Sequence, residues 1–376
     1  MTPRISSERL LSDIAVLARI GGREDGGVDR LAGTEADLEG RRWLVGRMRE
    51  AGLEATLDEV NNVFGRPAGS VGPFLLLGSH TDTVPAGGRL DGAYGVLAAL
   101  EVARTLRESG LAAAERVAVA SFHDEEGVSG NGFEGSLFFC AGPRLADVMG
   151  YLELHIEQGP RLEAEGLVIG AVEGIVGIDR HCLEFRGESN HAGTTPFEMR
   201  RDAGRASVRL LAGLRELVQL VDPDMVANAG EIAFHPGAPN VVPGKATTQV
   251  EFRALRPESL ARSAEALRFA AERIAGEEGC EVSVELLTSW PAVELDPGLV
   301  GAVEAACVAG GRPWRRLVSG AGHDAEILAR HVPAAMIFVP SHRGISHSPL
   351  EYTEPEHLAF GCQTLLDSAL LALAKS

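Results

Sequence analysis

The chain has 376 residues, 45% of them hydrophobic, which is enough to bury a large core and suggests two domains rather than one. Lys and Arg number 35 against 53 Asp and Glu, a net charge of −18 with no basic run, which argues against a nucleic-acid partner and describes an acidic, self-repelling surface. The five cysteines (Cys140, Cys182, Cys280, Cys307 and Cys362) form no C-x-x-C pair, which argues against a thiolate zinc site or a disulfide framework and fits a reducing, cytoplasmic setting.

The first residues, MTPRISSERLLSDIAVLARIGG, read as the polar start of a helix, without the apolar core and small-residue cleavage site of a signal peptide. No uncharged apolar stretch reads as long enough to span a bilayer, so no membrane partner is expected. Residues 7–20 and 38–51 read as helices. Residues 74–77 are an apolar run ending in Gly78-Ser79-His80, the mark of a buried strand. In 92–108, Val96, Leu100, Ala103 and Leu106 recur at helical spacing. Residues 117–122 and 151–156 are two further buried strands, the first leading into His123-Asp124-Glu125-Glu126. Strands alternating with helices predict an α/β sheet whose functional groups gather where the strands end.

Residues 178–288 follow another rhythm. Strands are expected at 178–185, 230–234, 247–255 and 281–287. A helix over 202–220 carries Ala203, Ala206, Leu210, Leu214, Leu217 and Val218 on one face, and a second carries Leu260, Ala264, Leu267, Ala271 and Ile274. The order β-α-β-β-α-β matches a ferredoxin-like unit. The α/β pattern then resumes with a helix from Pro297, a strand at 334–339 and a closing helix over 356–374. The organisation expected is one α/β domain, residues 1–177 and 289–376, interrupted by a small α+β insertion at 178–288.

Four places could carry chemistry. His80 stands just past a strand, with Asp82 two residues on, where its carboxylate could fix the imidazole tautomer. Asp91 lies where the next helix begins and reads either as a ligand or as a simple N-cap. Glu125 and Glu126 are adjacent carboxylates that repel unless a cation lies between them, and the plain alternative is a solvated acidic turn. His155 lies within a strand, where a structural role is the common one, and His347 reads as just past the strand at 334–339. Together His80, Asp91, Glu126, His155 and His347 offer three imidazoles and two carboxylates, a donor mix suited to zinc, manganese, cobalt or nickel. Asp91, with two oxygens, could bridge two ions.

The segments GSHTDTVPAGGRLDGAYGVLAALE, DEEG, ELHIEQGP, NHAGTTP, NVVPG, SGAGHDA and GISHSPLEYTEPE occur in this order. In them, from about residue 40 to the C-terminus, the chain resembles the N-carbamoyl-L-amino-acid hydrolases and allantoate amidohydrolases, relatives of the dinuclear-zinc aminoacylases and carboxypeptidases. The resemblance implies a zinc-aminopeptidase-like catalytic domain with an inserted lid that mediates homodimerisation. It implies two divalent ions per subunit, zinc first, with manganese, cobalt or nickel as alternatives. Asp91 would bridge them, His80 and His155 would complete one set, and Glu126 and His347 the other. Glu125 would be the general base, and His191 would stabilise the oxyanion in the partner subunit's site. With Asp82 behind His80, these form the expected catalytic set. Gln158, His191, Asn240 and Arg253 would hold a small carboxylate-bearing ureido substrate. A dipeptidase or deacylase on the same scaffold is the alternative, and for Arg253 the alternative is a surface ion pair. Two departures bear on the substrate: Val128-Ser129-Gly130-Asn131 stands where an Arg-Phe pair is common, and Glu251 where Asp is common.

Overall fold

The computed structural model describes residues 3–128, 130 and 132–375. Ser129 and Asn131, part of the first departure, lie outside the described residues. The chain divides into two compact units, residues 1–175 with 294–376, and residues 176–293.

The first unit is built on a mixed sheet of nine strands among the described residues. At its centre Val117–Phe122, Phe74–His80, Val148–Ile156 and Ala334–Val339 lie side by side, each parallel to the next. Their Leu, Val, Ala and Ile runs are buried on both faces, as parallel strands covered by helices must be. The helix Ala93–Glu108 packs against Phe74–His80 and the closing helix Pro355–Lys375, so residues 93 to 106 are all buried. No bilayer-length segment was expected, yet Pro355–Ala374 is long and apolar enough by length and composition to cross one. Its packing against Pro297–Gly310 and Ala93–Glu108 accounts for that composition. The first helix runs from Ser7 to Leu17 rather than to residue 20. It stops where the buried Arg30 guanidinium takes the carbonyls of Leu17 and Ile20, each at 3.0 Å.

In the second unit the long strands Glu281–Trp290, Gly177–Arg186, Lys245–Ala254 and Val226–His235 form an antiparallel sheet in that spatial order. In chain order this places the fourth beside the first and the third beside the second, the arrangement of a β-α-β-β-α-β unit. Along Lys245–Ala254 the residues Ala246, Thr248, Val250, Phe252 and Ala254 alternate inward. They meet Ala206, Leu210, Leu267 and Ala271 from the covering helices. The single helix expected over 202–220 is two, Ala203–Ala212 and Leu214–Val221, because the chain breaks at Gly213. A short ladder pairs Val241 with His191 and Val242 with Asn190.

Candidate metal centre

The C-terminal ends of the four central strands deliver the site, as expected of an open α/β sheet. His80 is the last residue of its strand and His155 the second-last of its own. His347 is not just past Ala334–Val339: the turn His342–Gly344 intervenes, and His347 is held at φ 54°. Asp124 and Gln158 also have positive φ, 51° and 56°. Three non-glycine residues in the left-handed region around one strand edge are local strain gathered at a functional site.

Asp91 is not an N-cap. Gly92 takes that position at φ 60°, and a Cβ there would lie 2.3 Å from the His80 ring. The Asp91 carboxylate instead faces two ways. Oδ1 is 3.0 Å from His155 Nε2 and 3.7 Å from His80 Nε2. Oδ2 is 3.2 Å from His347 Nε2, which is itself 3.4 Å from Glu126 Oε1. Glu125 Oε2 lies 3.7 Å from His80 Nε2. Atoms bound about 2.0–2.2 Å from a tetrahedral ion stand about 3.3 Å apart, and the separations around Asp91 and Glu126, 3.0 to 3.7 Å, bracket that value. Among the described residues three donor groups result: His80, Asp91 and His155; His80, Glu125 and Glu126; and Asp91, Glu126 and His347.

The rings are set to present Nε2. His80 Nδ1 is 3.1 Å from the Asp82 carbonyl and His155 Nδ1 is 2.8 Å from the Ile156 carbonyl, so each Nδ1–H donates to the backbone. The Gly92 N–H also lies 3.1 Å from His155 Nε2, so that nitrogen stands between a donor and the Asp91 carboxylate. The charges are in tension. Burial opposes a proton on His155, but Asp91 overrides it and carries the ring to about 9. Asp91 and Glu126 carry His347 to about 10, whereas burial lowers His80. Burial would raise Asp91, yet its histidines hold it well below the usual carboxylate range. Burial, with Glu126, Asp324 and Asp91 adding to it, pushes Glu125 well above that range. Among the described residues Glu126 Oε1 is buried without a hydrogen bond. Carboxylates and imidazoles this close compete for protons, and divalent cations satisfy all of them at once. The residues fit such ions.

The carboxylate of Asp82 does not perform the tautomer-fixing role expected of it. It stands 3.9 Å from His80 Nδ1, farther than its own backbone carbonyl. Its oxygens accept the Glu126 N–H at 3.3 Å and face Arg41 at 3.4 Å, and burial, which Arg41 opposes, carries it to about 6. Asp82 therefore ties the Glu125-Glu126 turn to a buried arginine, a function sequence reasoning missed because Arg41 lies far away on the helix Glu35–Glu50. Gln158 joins the cluster, its Nε2 3.0 Å from Asp91 Oδ2 and its Oε1 buried without a hydrogen bond.

The other expected substrate residues lie in the second unit. His191 is exposed, and its Nδ1 accepts the N–H groups of Gly193 and Thr194, each at 3.1 Å. A neutral ring so held carries its hydrogen on Nε2. The Asn240 carbonyl accepts the Ala192 N–H at 2.9 Å, which joins Asn240 to the His191 loop. Arg253 is not with them. It sits near the end of Lys245–Ala254, whereas Asn240 precedes its start, and the strand between them spans roughly 25 Å at the rise of an extended strand.

The parallel central strands, the strand-end donors and the two-faced Asp91 carboxylate fit a metal-dependent hydrolase of the α/β class. The chain belongs to the group described as Peptidase family M20/M25/M40, which matches residues 76–370. Among curated proteins it is 32% identical to the allantoate amidohydrolase of Bacillus subtilis, over 97% of each chain. It is 33% identical to the N-carbamoyl-L-amino acid amidohydrolase of Geobacillus stearothermophilus, over 96% of this chain and 97% of that one. Among solved structures, an amidase of the hydantoinase/carbamoylase family from Burkholderia phymatum superposes with a TM-score of 0.91 at 37% identity, covering 100% of this chain and 99% of that one.

Proposed function

We propose that the chain hydrolyses the ureido C–N bond of a small carboxylate-bearing substrate, an N-carbamoyl-L-amino acid or allantoate. The observation that carries the reading is the Asp91 carboxylate, one oxygen toward His80 and His155 and the other toward His347. Full-length likeness to enzymes named for those two substrates supports it. Two divalent ions fit the donors. Zinc suits three imidazoles with carboxylates, and manganese, cobalt or nickel are the alternatives to test.

When bound, such cations polarise a carbonyl and make water a better nucleophile at neutral pH. Glu125 takes a proton from the attacking water and returns it to the leaving nitrogen as the C–N bond breaks. Its carboxylate lies 3.7 Å from His80 Nε2 at the edge of the donor cluster, within reach of a water held there. His191 donates Nε2–H to the oxygen that gains charge in the tetrahedral intermediate. Gln158 and Asn240 orient the substrate, and Arg253 takes its carboxylate through a two-pronged contact. An N-carbamoyl amino acid then gives the amino acid, ammonia and carbon dioxide.

The functional unit is a homodimer joined through the inserted unit. A small substrate cannot touch Arg253 and Asn240 of one chain across roughly 25 Å of strand. It can touch both when one comes from the partner subunit. The edge strand Val226–His235, with Val226, Ile232 and Phe234 exposed, offers an unpaired border for such a contact. All five cysteines are free thiols, in keeping with a cytosolic enzyme. Ammonia release across a panel of allantoate, N-carbamoyl amino acids and 3-ureidopropionate, with the metal-stripped protein as control, tests the reading. No turnover of any ureido compound after reloading with each of the four metals overturns it.

A further inference from the structure

Ser346 and Glu351 flank His347 in sequence and have no place in the ligand set, yet both converge on Asp91. Glu351 is buried. Its Oε1 accepts the backbone N–H groups of Leu90 at 2.8 Å and Asp91 at 3.1 Å. Ser346 Oγ lies 3.0 Å from Glu351 Oε2 and 3.0 Å from Asp91 Oδ2. The loop closes on itself where the Glu351 N–H donates to the Ser348 carbonyl at 3.0 Å. Glu351 also presses on Gly88, where a Cβ would lie 2.0 Å from its carboxyl carbon. The turn before Ala93–Glu108 and the loop carrying His347 are thus joined by one carboxyl and one hydroxyl. The join holds Asp91 at its backbone and at its side-chain Oδ2, the oxygen that faces His347.

We propose that Ser346 and Glu351 are positioning residues that fix Asp91 in its bridging orientation and so set the affinity of the cation on the His347 side. The inference rests on reading the cluster as a metal centre. The physical reason is entropic and directional. A carboxylate free to rotate would serve either side, whereas one held at Oδ2 and at its own N–H keeps one oxygen on each. The Glu351 side chain acts through acceptor geometry. A glutamine in its place presents the same oxygen to the two N–H groups, and its amide donates to Ser346, leaving the serine hydrogen for Asp91.

The test uses the full chain stripped of metal and titrated with zinc alone, by calorimetry and by competition with a chromogenic chelator. Ser346→Ala and Glu351→Ala are expected to weaken one of the two binding events by about 10- to 100-fold and leave the other near the wild-type value. Glu351→Gln should stay close to wild type. Ser346→Ala should also melt with the wild type in the metal-free state, which a merely structural role would not predict alongside an affinity loss. Wild-type affinity for both ions in Ser346→Ala and Glu351→Ala overturns the inference alone, as does a Glu351→Gln as damaged as Glu351→Ala. A wild-type protein that binds no divalent ion overturns the metal reading and the inference with it.

Discussion

Glu251 holds Arg253. Its Oε1 accepts Arg253 Nε at 2.7 Å while its Oε2 accepts Arg180 Nε at 2.6 Å. Burial opposes the charge on Glu251, but the two arginines keep its carboxyl below the ordinary range. The surface ion pair weighed for Arg253 is therefore present. Engaging Nε with Glu251 also fixes the plane of the guanidinium, which a fork for a carboxylate requires.

Arg253→Lys should lower kcat/KM by about 10- to 100-fold, the value of a charged two-pronged contact, with metal content and melting unchanged. The loss should shrink for a substrate whose carboxylate is amidated. Steady-state kinetics on the acid and its amide decide the matter, and equal losses on the two would remove Arg253 from carboxylate recognition.

Glu125→Gln should retain its metal and lose about 10²- to 10⁴-fold in kcat, the usual contribution of a general base. Elemental analysis beside kcat separates base from ligand. A variant that turns over near the wild-type rate would refute the assignment.

Mixing His191→Ala subunits with Glu125→Gln subunits should restore activity if His191 acts across the dimer. Each single variant is expected to be nearly inactive. Each heterodimer then contains one site with both residues intact. Subunit exchange is followed by mass spectrometry, and exchange without recovery would place His191 in its own subunit's site.

Asp222 offers a stability test away from the metal centre. Burial would raise its carboxyl, but Arg256 and Ser259, donating at 2.7 Å and 2.6 Å, hold it below the ordinary range. A depressed folded pKa contributes stability that is present above the unfolded value and lost as pH falls through the folded one. Asp222→Asn should thus melt below wild type at neutral pH, by about 1–3 kcal/mol of stability, and the gap should close in acid. Denaturant melts at several pH values measure it, and a gap that widens in acid would contradict the sign.

The strands that carry His80 and His155, and the one that leads to Glu125, are legible because doubly covered parallel strands are largely apolar runs, with polar residues clustered toward their C-terminal ends. The segment ELHIEQGP is legible through its resemblance to a known family, since a histidine within a strand points by itself to a structural role. Arg41 is not. It is a charged residue on an otherwise ordinary helix, and its burial against Asp37 and Asp82 depends on a packing partner remote in sequence. Ser346 and Glu351 lie in the segment GISHSPLEYTEPE, but a hydroxyl and a carboxyl acting on another residue's orientation have no signature spacing. The break at Gly213 was hidden by apolar periodicity that continues across it. The turn before His347 was hidden by the brevity of the segment.

Gly92 constrains any effort to reshape this enzyme. The place where a side chain would begin is already filled by the imidazole of His80. Even alanine would force either the ring away from its partners or the helix Ala93–Glu108 away from the sheet. In a saturation library screened for new substrates, position 92 should tolerate no replacement. Randomisation there wastes diversity that the exposed residues around Arg253 and His191 could use.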